Sequence, residues 1–411
     1  MDSADLNIFV ARQPIFKRNK EVFAYELLFR AGLHNYFDPG QDEEEATSKV
    51  ITNSFLLIGL PTMTEGKKAF VNFSEYMLLN GYPELFPKDH VVVEVLETVR
   101  ATPEVVDSCG RLVDAGYILA LDDFLYDDHL LPLIELAGII KFDIRQMSWA
   151  ELERQVEVVG RHKVKLLAEK IETNEEFEAA RKMGFDLFQG YFFSRPHIIK
   201  GRDIPGSKYN YLQVLKVIQN DDFELTELAR SVCRDVSLAY KLLKYANSAY
   251  FARKAKLESI EMAVAMLGQQ NMRKWLSLMM LSYLADDKPS ELLRLAAFRG
   301  NFCELIAERL LARGKESGMF YTVGMFSLLP AILDKEMAEI LPEMPLAEEV
   351  VEALLLKRST PLSCTLVMVM TYERGEWEKS GKLAERLGLD FNALPQLYAK
   401  SIEIARLQFS D

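Results

Sequence analysis

Hydrophobic and polar positions change their spacing near residue 200. Before it, short runs rich in β-branched and aromatic residues alternate with amphipathic stretches. The runs are NIFVARQPIF, EVFAYELLF, KAFVNF, HVVVEVLE, YILALDDF, GIIKFDI, VKLLAEKIE and DLFQGYFF. Between them lie EEEATSKVITNSFLLIGL, PEVVDSCGRLVDAG, SWAELERQVEVVGRH and NEEFEAARKMG, which repeat apolar residues at helical spacing. Such alternation predicts a parallel sheet covered by helices. The polar turn Lys17-Arg18-Asn19-Lys20 joins the first two runs, which predicts an antiparallel hairpin. The pattern therefore predicts an α/β half folded as a modified (β/α)8 barrel with an antiparallel first strand. A doubly wound open sheet is the alternative, but the chain has no GxGxxG or Walker loop to support it.

From about residue 207 the period-two signal disappears. Apolar residues recur three and four apart, as in Leu228 and Val232, Leu238, Leu242 and Leu243, then Met262 and Leu267. LLRLAAFRGNFCELIAERLLARG and PQLYAKSIEIARLQF predict long helices packed into a core. The joint is SRPHIIKGRDIPG, rich in proline and glycine. The expected organisation is a barrel over residues 1–200 and an all-α domain over 201–411.

Bulk properties narrow the function. A chain of 411 residues is too long for one ordinary core. With 49 Lys+Arg against 61 Asp+Glu, the net charge of -12 opposes a nucleic acid polymer or an anionic membrane as the main partner. Cys109, Cys233, Cys303 and Cys364 make no CxxC or other ligand spacing and read as buried thiols. The N-terminus lacks a signal-peptide pattern, and the apolar run FLLIGL stops at Pro61. These features predict a cytoplasmic protein.

The chemistry sits where apolar runs end. Glu26 follows VFAY, Asn72 follows AFV and Glu94 follows VVV; Asp122 and Asp123 follow ILAL, Asp143 follows IIKF and Glu169 follows KLLA. In a parallel barrel those ends form the face that carries catalysis. Taken singly, a strand-end acid is about as often a helix cap or an ion pair. Taken together, clustered carboxylates repel, and Lys141 cannot offset them all. A divalent cation can. The five histidines make no HxH, HxxxH or HD spacing, so the donors are oxygens and the metal is Mg²⁺ or Mn²⁺. With Arg30 and Lys141 nearby, such a site suits a phosphate ester.

At these residues the sequence resembles the EAL-type cyclic di-GMP phosphodiesterases. YELLFR stands at the family's name motif with Leu27 in place of alanine, and RQPIF, VNFS, EVLE, DDF, KFD, AEKIE and FQGYFFSRP follow in family order. The resemblance implies Glu26, Asn72, Glu94, Asp122 and Asp123 as ligands of two metal ions. It implies Glu169 and Lys141 as the groups that manage the attacking water, with Glu172 and Glu97 as secondary acids. Gln13, Arg30, Gln189 and Asp143 are implied on the substrate side. The implied reaction is hydrolysis of cyclic di-GMP to linear pGpG.

The helical half is similar to the HDOD module, a relative of the HD phosphohydrolases, with landmarks Asn247-Ser248-Ala249 and Leu267-Gly268. Ser327-Leu328 stand where a metal-dependent HD enzyme needs its His-Asp pair, so no catalysis is expected there; a protein partner is. Together the halves resemble the YuxH-type EAL–HDOD signalling proteins. A homodimer is compatible with the sequence, which does not fix the oligomeric state.

Two departures point to attenuated turnover or to a receptor that binds nucleotide without hydrolysing it. After DDF the chain reads LYDDHLL, with Leu125 and Asp127 where the family has glycines, and Lys170 replaces the glycine usual after Glu169. A third reading, a barrel for an unrelated enolisable substrate, fits the acids but not the motif order.

Overall fold

The computed structural model describes residues 8–31, 60–194, 242–243, 245–247, 257, 259–310, 317–344 and 346–409. The chain divides into two compact units. One holds Met1–Phe193 with Thr371–Gly381, and the other holds Ser194–Met370 with Lys382–Asp411.

In the first unit every apolar run of the sequence is a strand: β1 Ile8–Lys17, β2 Val22–Ala31, β3 Lys68–Phe73, β4 Val91–Val95, β5 Ile118–Leu121, β6 Ile139–Asp143, β7 Lys165–Glu169 and β8 Leu187–Gln189. They close into one barrel in sequence order. β1 is antiparallel to both β2 and β8, and the remaining neighbours are parallel. The open-sheet alternative is thereby excluded. Inside, Ile15, Ala24, Phe70, Val92, Ala120, Ile139, Leu167 and Leu187 form an apolar layer with one residue from each strand. This layer is the floor on which the site rests.

The helices outside the barrel start where local chemistry directs. Thr102, Ser148 and Thr173 cap the helices Pro103–Asp114, Trp149–Val159 and Asn174–Met183, each side-chain oxygen accepting from a backbone N–H three residues on. Thr173 and Glu176 complete a capping box. The helix Pro103–Asp114 buries Val105, Ser108, Cys109 and Leu112, the three-and-four spacing of one covered face. The predicted helix in EEEATSKVITNSFLLIGL lies outside the described residues, apart from the helical start at Leu60. Thr371–Gly381, late in the chain, belongs to this unit, and the Trp377 ring lies 6.1 Å from that of Phe9 in β1.

Among the described residues the second unit contains helices and no strand. Ser290–Leu310 and Leu394–Phe409 are the two long amphipathic helices of the sequence. The helix Ile260–Leu284 is broken at Gly268, whose φ of 69° departs from helical geometry. Asn247 ties the chain locally, donating to the carbonyls of Leu243 and Leu257 and accepting from Leu257 N. Met262 corrects one expectation: it belongs to the apolar repeat, yet it is 55% exposed, because it lies in the first turn of its helix. Leu228, Val232, Leu238, Cys233 and the pair Ser248-Ala249 lie outside the described residues. Cys109, Cys303 and Cys364 are free and buried. No described helix is long and apolar enough to cross a membrane.

Candidate functional site

Side chains of a strand alternate between faces, so the residue two positions from an interior residue is interior as well. Two positions beyond the apolar layer, toward the C-terminal ends of β2 to β8, stand Glu26, Asn72, Glu94, Asp122, Lys141, Glu169 and Gln189. β1 runs the other way, and its matching residue is Gln13, paired in register with Glu26. One polar residue from each strand, or in the case of Asp122 from the position just past the end of β5, thus forms a layer directly above the apolar one.

Lys141 is buried at the centre. Its Nζ lies 2.8 Å from Asp122 Oδ1, 2.8 Å from Glu169 Oε1 and 3.7 Å from Glu26 Oε2, and it donates to Glu94 Oε1. Gln189 Nε2 donates to Glu26 Oε2 at 2.5 Å and to Gln13 Oε1 at 2.8 Å. Burial pushes the Glu94 carboxyl well above its ordinary range, with Lys141 opposing and the other acids reinforcing. Burial likewise raises Glu169, from 4.5 to about 8. For Lys141 burial alone would lower proton affinity, but Glu169, Glu26, Glu94 and Asp122 outweigh it. One ammonium faces four carboxylates, so the layer is short of positive charge.

Hydrogen bonding is short as well. Among the described residues of this layer, Asn72 Oδ1, Glu94 Oε2 and Gln189 Oε1 are buried and have no hydrogen-bond partner. Buried acceptors are normally satisfied, so orphaned oxygens beside excess negative charge fit a cation that binds there. Oxygens of Glu26, Glu94 and Glu169 approach one another within 4.8 Å, as do those of Asp122, Asp123 and Glu169; both sets can hold a metal ion. All are hard donors, suited to Mg²⁺ or Mn²⁺.

Asp123 enters the site although its neighbour Asp122 already does. The strand ends at Leu121, and Asp123 takes φ 40°, a left-handed conformation that returns its side chain to the same side. Burial raises its carboxyl, and Asp122 adds to this. Asp143 lies one step above Lys141; its Oδ1 accepts from Arg145 N and its Oδ2 from Lys170 Nζ at 2.6 Å.

The structure does not bring every expected residue into this layer. Glu97 is exposed in the turn after β4. Glu172 sits at the rim with Arg145 Nη2 at 3.6 Å, and that guanidinium also holds Glu176 at 2.8 Å. Arg30 is a β2 residue opposite Phe9, and its side chain lies outside the described ones. Arg145 and Lys170 are contacts that residue type and spacing left unassigned; a basic residue within two positions of a strand-end acid is the signal that marks both. The segment after Glu169 is held by Gly190. Its φ is 145°, and a Cβ there would come 2.0 Å from the Ile171 carbonyl oxygen, so any side chain would displace this loop. In the altered loop neither Leu125 nor Asp127 needs positive φ, and Leu125 is 52% exposed.

Comparison with known proteins follows the same division. The EAL domain family matches residues 78–196, and the HDOD domain family matches residues 204–349. A protein of Bacillus subtilis (strain 168), "Uncharacterized protein YuxH", is 34% identical over 406 residues, covering 97% of this chain and 98% of its own. A Vibrio cholerae serotype O1 protein, "Cyclic di-GMP phosphodiesterase CdgJ", is 34% identical over 396 residues, covering 94% of this chain and 90% of its own. Among solved structures, a standalone versatile EAL protein from Vibrio cholerae O395 in its c-di-GMP-bound form is similar at 23% identity and TM-score 0.38, covering 46% of this chain and 92% of that one. With that identity over nearly the full length of both relatives, the chain belongs to the EAL–HDOD family that includes YuxH and CdgJ.

Proposed function

We propose that this chain is a cytoplasmic cyclic di-GMP phosphodiesterase that opens the ring to linear pGpG. The observation that carries the reading is the buried polar layer, with four carboxylates around one lysine and orphaned oxygens among them. Membership of a family that includes a protein named as a cyclic di-GMP phosphodiesterase supports it.

Glu26, Asn72, Glu94, Asp122 and Asp123 would hold two Mg²⁺ or Mn²⁺ ions. When bound, these ions supply Lewis-acid stabilisation of charge on the phosphoryl oxygens. In the hydrolysis a water oxygen bonds to phosphorus, the bond from phosphorus to the ring's 3′ oxygen breaks, and the departing oxygen takes a proton from solvent. Glu169 takes the proton of the attacking water. It must first be ionised, and added positive charge beside it lowers its proton affinity toward neutral pH. Lys141 holds Glu169 and Asp122 in place through two charged hydrogen bonds. Gln189 orients Glu26 and Gln13, which with Arg30 and Asp143 forms the substrate side. Glu172 and Glu97 steady the rim, and the helical half meets a protein partner.

The test is chromatography of cyclic di-GMP incubated with the full chain and Mn²⁺. Wild type should form pGpG, and Glu26→Ala should lose both Mn²⁺ binding and turnover. A Glu26→Ala chain that hydrolyses as fast as wild type would remove the metal-centre assignment. The exposed Leu125 and the Lys170 ammonium favour a second reading, a non-catalytic receptor. Calorimetric binding of cyclic di-GMP with no pGpG after long incubation in Mn²⁺ would select it.

A further inference from the structure

Lys170 has a backbone conformation its side chain disfavours. Its φ is 57°, in the left-handed region that an L side chain rarely adopts. The strain is held from both sides: Glu169 O accepts from Ile144 N at 3.4 Å, and Ile171 N donates to Gln189 O at 3.0 Å. A strained residue so fixed invites a functional explanation.

The side chain supplies one. Lys170 Nζ lies 2.6 Å from Asp143 Oδ2 and 4.0 Å from Asp123 Oδ1. Asp123 is itself strained at φ 40°, and with Asp122 and Glu169 it forms the second carboxylate cluster able to hold a metal ion. Lys141, at the centre, touches both clusters, Glu26 and Glu94 on one side and Asp122 and Glu169 on the other. The Asp122, Asp123 and Glu169 cluster therefore has a second ammonium, that of Lys170, beside it. The two differ in access. Lys141 is buried, whereas the Lys170 side chain is 56% exposed and can swing out to solvent.

We propose that Lys170 is a tethered cation that competes with one divalent ion for the Asp122, Asp123 and Glu169 side of the site. This rests on the metal-centre reading given above. Its consequence is that the two ions bind unequally, the ion at the Lys170 side being the weaker because a second ammonium, held on Asp143, stands 4.0 Å from its ligand Asp123. A charge within 4.0 Å of one ligand acts on that ion directly, and exposure keeps the effect moderate.

Mn²⁺ titration of the full chain by calorimetry, with bound-ion counting by electron paramagnetic resonance, tests this without recourse to activity. Wild type should bind one Mn²⁺ tightly and a second weakly. Lys170→Gln keeps the backbone strain and removes the charge, and it should tighten the second ion by roughly 3- to 10-fold. Lys170→Gly should do the same, and Lys170→Arg should leave the second ion as weak as in wild type. If Lys170→Gln matches wild type, or only the glycine variant tightens the ion, charge competition is overturned while the metal centre stands. If no variant and not the wild type binds Mn²⁺, the metal-centre reading fails with it.

Discussion

Both units bury charged side chains, but they balance them differently. In the helical unit Lys274 Nζ meets Glu304, and Glu304 also accepts from Gln270. Lys288 meets Asp334 at 2.5 Å, Arg299 donates to Ser327 Oγ, and Asn301 donates to Gln408. Each of these named groups has a partner within the unit. In the barrel Lys141 faces four carboxylates, and acceptors of the same layer lack donors. Paired burial locks helices together; unbalanced burial needs something from outside the chain. The contrast separates a structural network from a binding site without any appeal to motif.

The strongest way to break the contrast is Lys141→Met, which leaves the carboxylates facing one another. Without divalent ions it should destabilise the barrel by about 3–5 kcal/mol, and turnover should fall at least ~100-fold. Denaturant unfolding in EDTA and pGpG chromatography measure both. Unchanged stability would mean that the acids are already neutral and need no cation.

The helical pair gives the complementary result. Glu304→Ala leaves the Lys274 ammonium unpaired and should cost about 3 kcal/mol, whereas Lys274→Met with Glu304→Leu should return within about 1 kcal/mol of wild type. Turnover per folded molecule should be the same in the double variant as in wild type. A double variant that folds but hydrolyses slowly would show that this network reports to the barrel.

The smallest effect concerns pH. Glu169 binds its proton up to about 8 when folded, against 4.5 for an ordinary glutamate. The folded state then holds more protons between those values, so the cation-free chain loses stability as pH rises from about 4.5 to about 8. The thermal midpoint in EDTA should drop by about 5 °C across that window, and saturating Mn²⁺ should flatten the dependence. A midpoint that rises with pH in EDTA would mean that Glu169 is ionised without help.

The strands, their order of appearance and six of the eight residues in the polar layer were legible as polar positions ending apolar runs, or as the one nearby lysine. Gln13 and Gln189 were reached through family resemblance, because an amide carries no charge imbalance to mark it. Glu97 and Glu94 lie three residues apart in one motif, yet one is exposed in a turn and the other buried, since β4 ends at Val95. Ser327 reads as a lost metal ligand; in the fold it donates to the Gly324 carbonyl and accepts from Arg299.

Alternation along a strand is local, so the sequence alone determined which face each side chain takes and hence which residues could share an interior layer. Closure is not local. β1 pairs with β8 across nearly the whole length of the barrel sequence, and only that pairing brings Gln189 to Gln13 and Glu26. The seat of Lys170 was decided in the same way. Its left-handed backbone is held by β8 on one side and by the segment after β6 on the other, contacts that no spacing within VKLLAEKIE encodes.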